Sequence, residues 1–146
     1  MARYSAGCLT TAGSTTLPII SLYAIAAVGA SVREIGVFNT TATAVALKLV
    51  RLTTAGTQGA GLTEGKYDPN SVAASCTAFN THSSTGPTLG DDLGYRTVLG
   101  AAIGSGVIWT FGEHGLEIPV GTGNGIGIIV ENGTGQACQA YIVWDE

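Results

Sequence analysis

The stretch Gly121–Trp144, GTGNGIGIIVENGTGQACQAYIVW, decides how this chain is read. Its glycines have the look of a phosphate-cradling loop, which would make the protein a nucleotide enzyme. Such a loop needs its glycines between a strand and a helix N-terminus, where backbone amides converge on the anion. Here a second strand-like run follows the glycines. GxGxxG read from Gly121 also puts Ile126 where the last glycine belongs. Gly125–Val130 sets Ile126, Ile128 and Val130 on one face, and the return run sets Cys138, Ala140, Ile142 and Trp144 on one face. Between them Asn132-Gly133 is the strongest short hairpin signal, because both residues tolerate positive φ. The stretch is expected to be a hairpin and not a nucleotide site.

Working outward, the same texture recurs. Ser31–Asn39 alternates, with Arg33, Ile35 and Val37 on one face and Val32, Glu34, Gly36 and Phe38 on the other. After a short TTA connection, Thr43–Thr53 sets Val45, Leu47 and Leu49 against Ala46, Lys48, Val50 and Leu52. Both faces are largely apolar, as in a sandwich interior or a subunit interface. Tyr95–Ile103, a Gly104–Gly106 turn, Val107–Phe111 and Gly115–Val120 read as further strands, with Pro119 suited to a strand end. Leu17–Val32 is too short for a bilayer span and carries Ser21, Tyr23 and Gly29, so it reads as core strand. Thr54–Asp92 has little periodicity and reads as a long functional or partner-packed loop, with short helical turns at Val72–Phe79 or Asp91–Leu93. Residues 1–16 read as an extended N-terminal arm ahead of a single domain over residues 17–146. Seven or eight short strands with glycine-rich turns and no helical crossovers predict an all-β, antiparallel β-sandwich of jelly-roll type.

Composition narrows the function classes. Only 11% of the 146 residues are charged, against roughly 25% in an average soluble domain. That scarcity argues against a helical protein and predicts that subunits cover part of the surface. The net charge is −4 and the six Lys and Arg stand singly, so no cationic cluster offers itself to phosphates. Nucleic acid and membrane are not expected partners. Cys8, Cys76 and Cys138 form no CxxC pair and read as reduced thiols, one inter-subunit disulfide staying open. Two sequons, at Asn39 and Asn132, carry no meaning without secretion.

Chemistry is sparse. His82 and His114 have no partner at metal-ligand spacing and read as structural or solvent-exposed. Asp91-Asp92 points to opposite faces of a strand, a poor joint acid and base, and reads as a solvated turn or helix cap. Gly65-Lys66 is followed by Tyr67 where a phosphate loop needs Ser or Thr, and no serine sits in a GxSxG elbow. Trp109, Phe111, Tyr141 and Trp144 read as core or as an oligomer seam, with a carbohydrate platform as a further option. No catalytic residue, cofactor or metal is expected.

Three segments, REIGVFNTTATAVALKLVRLTT, GLEIPVGTGNGIGIIVENGTG and AYIVWDE, give Ser31–Glu146 a resemblance to small phage head proteins. These are the jelly-roll decoration (cement) or minor capsid proteins of tailed bacteriophages. Thr54–Asp92 is the part that matches least. The resemblance implies a non-enzymatic virion protein, made in the host cytoplasm. It would bind the outer capsid surface as a homotrimer and brace the lattice of the major capsid protein. The arm, with Arg3 and Tyr4, would then order on capsid binding. Two alternatives are a tail-associated receptor- or glycan-binding jelly roll and a tumour-necrosis-factor-like trimeric ligand, the latter disfavoured for want of a secretory segment.

Overall fold

The computed structural model describes residues 1–146 and contains eleven strands and no helix. They are β1 (Arg3–Leu9), β2 (Ile20–Tyr23), β3 (Ala30–Asn39), β4 (Val45–Leu52), β5 (Gly65–Lys66), β6 (Thr77–Asn80), β7 (Leu89–Leu99), β8 (Gly106–Thr110), β9 (Leu116–Ile118), β10 (Gly125–Asn132) and β11 (Cys138–Asp145). One sheet runs β5-β1-β11-β3-β8, with β9 also pairing β3, and the other runs β6-β2-β10-β4-β7. All ladders are antiparallel. The all-β, antiparallel sandwich read from the sequence is therefore the fold.

The ladders nest. β1 pairs β11, β2 pairs β10, β3 pairs β8 and β4 pairs β7, so early strands meet late ones as in a long hairpin rolled onto itself. This overturns the local hairpin expected around Asn132-Gly133. β10 lies between β2 and β4 in one sheet, and β11 lies between β1 and β3 in the other. Each has both edges occupied, so neither can pair with the other. Gly133 does take positive φ, at 72°, but it turns a crossing between sheets.

The inner faces follow the period of two. Val45, Leu47 and Leu49 of β4, Ile126, Ile128 and Val130 of β10, and Cys138, Ala140, Ile142 and Trp144 of β11 share one buried core. On β3 the alternation breaks: Val32, Ile35 and Val37 all point inward. The register shifts between Val143 and Trp144, which face Glu34 and Val32, so Arg33 has no partner on β11. That bulge turns the Arg33 guanidinium outward onto Asp145, with Nε 2.6 Å from Oδ2.

Several boundaries differ from expectation. Residues 1–16 are no free arm, since Arg3–Leu9 pairs β11 over its whole length and β5 at its start. Its small residues concealed an alternation that buries Tyr4 and Ala6. Leu17–Val32 divides into β2 and the start of β3, joined by Ala24–Gly29. The helical turns are absent: Thr77–Asn80 and Asp91–Leu93 lie in strands. The long loop holds β5, β6 and the first residues of β7. Its remainder is zipped, with the Thr57 amide donating to Thr85 at 2.7 Å, Thr53 to Thr88 at 3.0 Å and Asn80 to Ala60 at 2.9 Å. Ile103, placed at a strand end by the sequence, lies in the exposed turn before β8.

The chain ends close the first sheet. Ala2 and Glu146 exchange backbone hydrogen bonds of 2.8 and 2.9 Å. Arg3 grips Asp145 through Nε to Oδ1 at 2.7 Å and Nη2 to Oδ2 at 2.9 Å. The hydrogen bond from Arg3, then that from Arg33, hold the Asp145 carboxyl below its ordinary pKa against the effect of burial. A depressed carboxylate stabilises the fold above its unfolded pKa and loses that contribution as pH falls through the folded value.

Two outcomes are expected. Trp144 is fully buried, so Trp144→Ala should cost about 3–5 kcal/mol in denaturant unfolding; a loss under about 0.5 kcal/mol would place the ring on the surface. Asp145→Asn should cost about 2–3 kcal/mol at pH 7, below the range for a wholly buried pair because Arg3 is half exposed. The gap to the parent protein should narrow below about pH 4. A gap that stays constant from pH 7 to 3 would remove Asp145 from the acid response.

Candidate functional site

The residues singled out from the sequence fall into separate places. Tyr4 and Trp144 stack in the core with ring centroids 5.9 Å apart. The Tyr4 hydroxyl donates to the Val72 carbonyl at 3.1 Å, and Trp144 Nε1 donates to Glu146 at 2.9 Å. Arg3 is committed to Asp145. Neither Arg3 nor Tyr4 is a free arm residue. Trp109 and Phe111 are buried at the margin of the core, each edge-on to Tyr95, at 6.0 and 5.0 Å.

Tyr141 alone of the four aromatics lies outside the core, on the outer face of the first sheet. Its ring covers Gly36, where a Cβ would stand 2.2 Å from ring carbon Cε1. Its hydroxyl donates to Glu34 Oε1 at 2.6 Å. Burial first, then Glu34, push the phenol up to about 12, so it stays protonated at neutral pH.

The nucleophile candidates are quiet. All three cysteines are free. Burial lifts Cys138 to about 11 and, with Glu146 adding to it, Cys76 to about 12, so both remain thiols. His114 is exposed, and its carbonyl accepts from Ser31 Oγ at 2.7 Å. His82 is buried under the zipped segment and hydrogen-bonded to Tyr23. Asp92 forms a bend within β7, its Oδ1 accepting from the Gly94 amide at 2.9 Å, and pairs with Lys48 and Arg96. Asn39 is buried, so the first sequon carries a structural amide. No cluster of three or more His, Cys, Asp or Glu side chains is placed to hold a metal ion. No helix is long and apolar enough to cross a membrane.

Two surfaces stand out. At one end of the sandwich a cleft of about 510 Å³ is lined by Arg51, Asp91, Glu117 and Asn124, with Leu52, Pro119 and smaller residues between them. Arg51 Nη1 donates to the Glu117 carbonyl. This is a set of hydrogen-bonding groups around a polar hollow, without a nucleophile.

The second surface is the corner where β7 and β8, the edge strands of the two sheets, meet. From Thr97 to Gly112 the chain carries no charge. Within that run Val98 is 71% exposed on the outer face of the second sheet, opposite Ala46, Ile103 77% in the turn, and Ile108 51% on the outer face of the first sheet, opposite Gly36, while Trp109 and Phe111 are buried. Edge strands are normally protected by charge, proline or a covering element. β8, GVIWT, has none within it. Sequence reasoning offered Trp109 and Phe111 here as core or an oligomer seam but passed over Val98, Ile103 and Ile108; the signal that would have found them is the missing charge between Arg96 and Glu113. Comparison with family models, with curated proteins and with solved structures gave no match.

Proposed function

We propose that this chain is a structural virion protein, a capsid decoration or cement protein of a tailed bacteriophage. It binds the outer capsid surface as a homotrimer and braces the lattice of the major capsid protein, without catalysis. The observation that carries the reading is the uncharged β7–β8 corner with Val98, Ile103 and Ile108 in solvent. Exposed aliphatic side chains on both flanks of an unprotected sheet edge, Val98 on one and Ile108 on the other, suit an assembly contact that grips the edge. The nested ladders support the jelly-roll form that the sequence resemblance implies. With Tyr4 in the core and Arg3 held by Asp145, the corner replaces the N-terminal residues as the proposed contact.

A second reading, a tail-associated glycan-binding module, rests on the cleft of Arg51, Asp91, Glu117 and Asn124. Planar amide, carboxylate and guanidinium groups around a hollow suit a polyhydroxylated ligand, though no aromatic ring lines it.

Light scattering of the purified chain, alone and with empty capsids of its own phage, separates the two. The decoration reading expects a trimer that binds capsids saturably. Ile108→Asp, at an exposed site where substitutions shift stability by about 0.5 kcal/mol or less, should leave the chain folded and abolish both trimer and binding. A monomer that ignores capsids while retaining a glycan, and releases it on Arg51→Ala, would replace the first reading with the second.

A further inference from the structure

The outer face of the second sheet carries a small core of its own. Tyr23 of β2, Val50 and Leu52 of β4 and Ile129 of β10 are buried there, with Ala55, Phe79 and Leu89 packed on them. Two stretches of chain lie over this face, 53–59 after β4 and 81–88 after β6. They hold one another through Thr57 to Thr85 at 2.7 Å, Ser83 to Thr57 at 3.3 Å and the Thr88 amide to Thr54 Oγ1 at 2.7 Å. The fit is close at Gly56, where a Cβ would stand 2.6 Å from the Pro87 nitrogen and φ is +59°.

His82 fastens this cover to the sheet. Its ring is 2% exposed. Nε2 lies 3.1 Å from the Tyr23 hydroxyl, on the sheet, and 3.1 Å from the Ala55 carbonyl, on the cover. Its backbone amide donates to Pro18 at 2.9 Å. Nδ1 has no hydrogen-bond partner. The other unpartnered buried polar atom, Ser21 Oγ, projects from the same face of β2 as Tyr23 and is out of hydrogen-bond reach of the ring. Tyr23 is the titratable group in contact with the ring, and burial raises its phenol well above the ordinary value. No carboxylate or other charged side chain acts on His82; its polar surroundings from the remaining elements are the Ala55 and Pro18 carbonyls.

A neutral imidazole fits this site with one bare nitrogen. An imidazolium needs acceptors for two N–H groups and a counter-charge, and the site provides neither in full. We infer that His82 is an acid-sensitive latch: protonation of its ring frees stretches 53–59 and 81–88 from the second sheet and uncovers Tyr23, Val50, Leu52 and Ile129. Burial holds the ring's pKa below the ordinary histidine value against the smaller, opposite effect of the two carbonyls. A histidine depressed in this way stabilises the closed form above its free pKa, near 6.5, and that contribution is lost as pH falls below it. Asp92 and Asp145, both held below the ordinary carboxylate range, protonate in more acid solution, so the two responses separate.

Hydrogen exchange on the full-length protein tests the latch between pH 7.5 and 5.0, after correction for the intrinsic rate. The Thr57 and Ser83 amides should lose at least tenfold of their protection, while amides of β10 keep theirs. The loss should share its midpoint with the His82 ring titration seen by NMR in the unmodified chain. His82→Gln keeps an amide donor for Ala55 and gains no charge in acid; it should remove the pH dependence, and His114→Gln should leave it in place. Protection that does not change with pH, or changes equally in His82→Gln, would overturn the latch. So would a ring that titrates while the cover stays protected, a result that needs no variant.

Discussion

The fold depends on chain crossings between sheets, and four of the eight are gathered at one end of the sandwich, where the buried amide of Asn39 and its neighbours tie them together. β1 to β2, β3 to β4, β7 to β8 and β10 to β11 each pass from one sheet to the other. A crossing leaves backbone groups outside any ladder, and buried ones must find partners. Asn39 supplies them. Its Nδ2 donates to Thr43 at 2.7 Å and to Gly100 at 3.0 Å, and its Oδ1 accepts from the Thr41 amide at 3.0 Å. Its backbone amide donates to Ser105 at 2.7 Å and its carbonyl accepts from Gly104 at 2.8 Å. One residue thereby joins the β3–β4 crossing to the β7–β8 crossing. Thr40 and Thr41 extend the tie to Ala137 and Gln136 in the β10–β11 crossing, and Cys138 reaches Thr10 in the β1–β2 crossing.

Once successive strands are parted in this way, the nested pairing follows. A strand whose neighbour in sequence has left for the other sheet must take its hydrogen bonds from a distant strand. The terminal strands are then drawn together, which is why Arg3 finds Asp145 and Tyr4 finds Trp144. The same constraint makes β10 and β11 central. Their continuous apolar character matches burial on both faces: Ile126, Ile128 and Val130 toward the main core, Ile129 toward the covered outer face.

The strand pattern was legible because side chains alternate whatever the pairing. Val45–Leu47–Leu49 and Cys138–Ala140–Ile142–Trp144 reveal their inner faces in the sequence alone. Partners were not legible, because alternation says which way a side chain points and nothing about which strand lies beside it. Asn132-Gly133 offered a local turn, and the competing claims of β2, β4, β1 and β3 on the same edges prevailed. The covering stretches were missed for a different reason. They are held by threonine hydroxyls, backbone amides and close glycine approaches, which leave no hydrophobic period to read. Of the surfaces, the corner had a signal in the uncharged run Thr97–Gly112. The cleft had none, since Arg51, Asp91, Glu117 and Asn124 come from four separate segments.

A chain this poor in charge must cover its sheet faces by other means, and it does so unevenly. On the first sheet Tyr141 lies over Gly36 and Phe38 over Gly106, aromatic rings filling the hollows that glycines leave. On the second, the zipped stretches cover Tyr23, Val50 and Ile129, while Lys48, Asp92, Arg96 and Glu131 form the one charged network nearby. Both devices leave gaps along the β7–β8 edge, where Val98 on the outer face of the second sheet, Ile108 on that of the first and Ile103 in the turn between them stay in solvent. The chain has the means to cover apolar surface and uses them on both outer faces. The uncovered corner is therefore where the proposed contact with other subunits belongs.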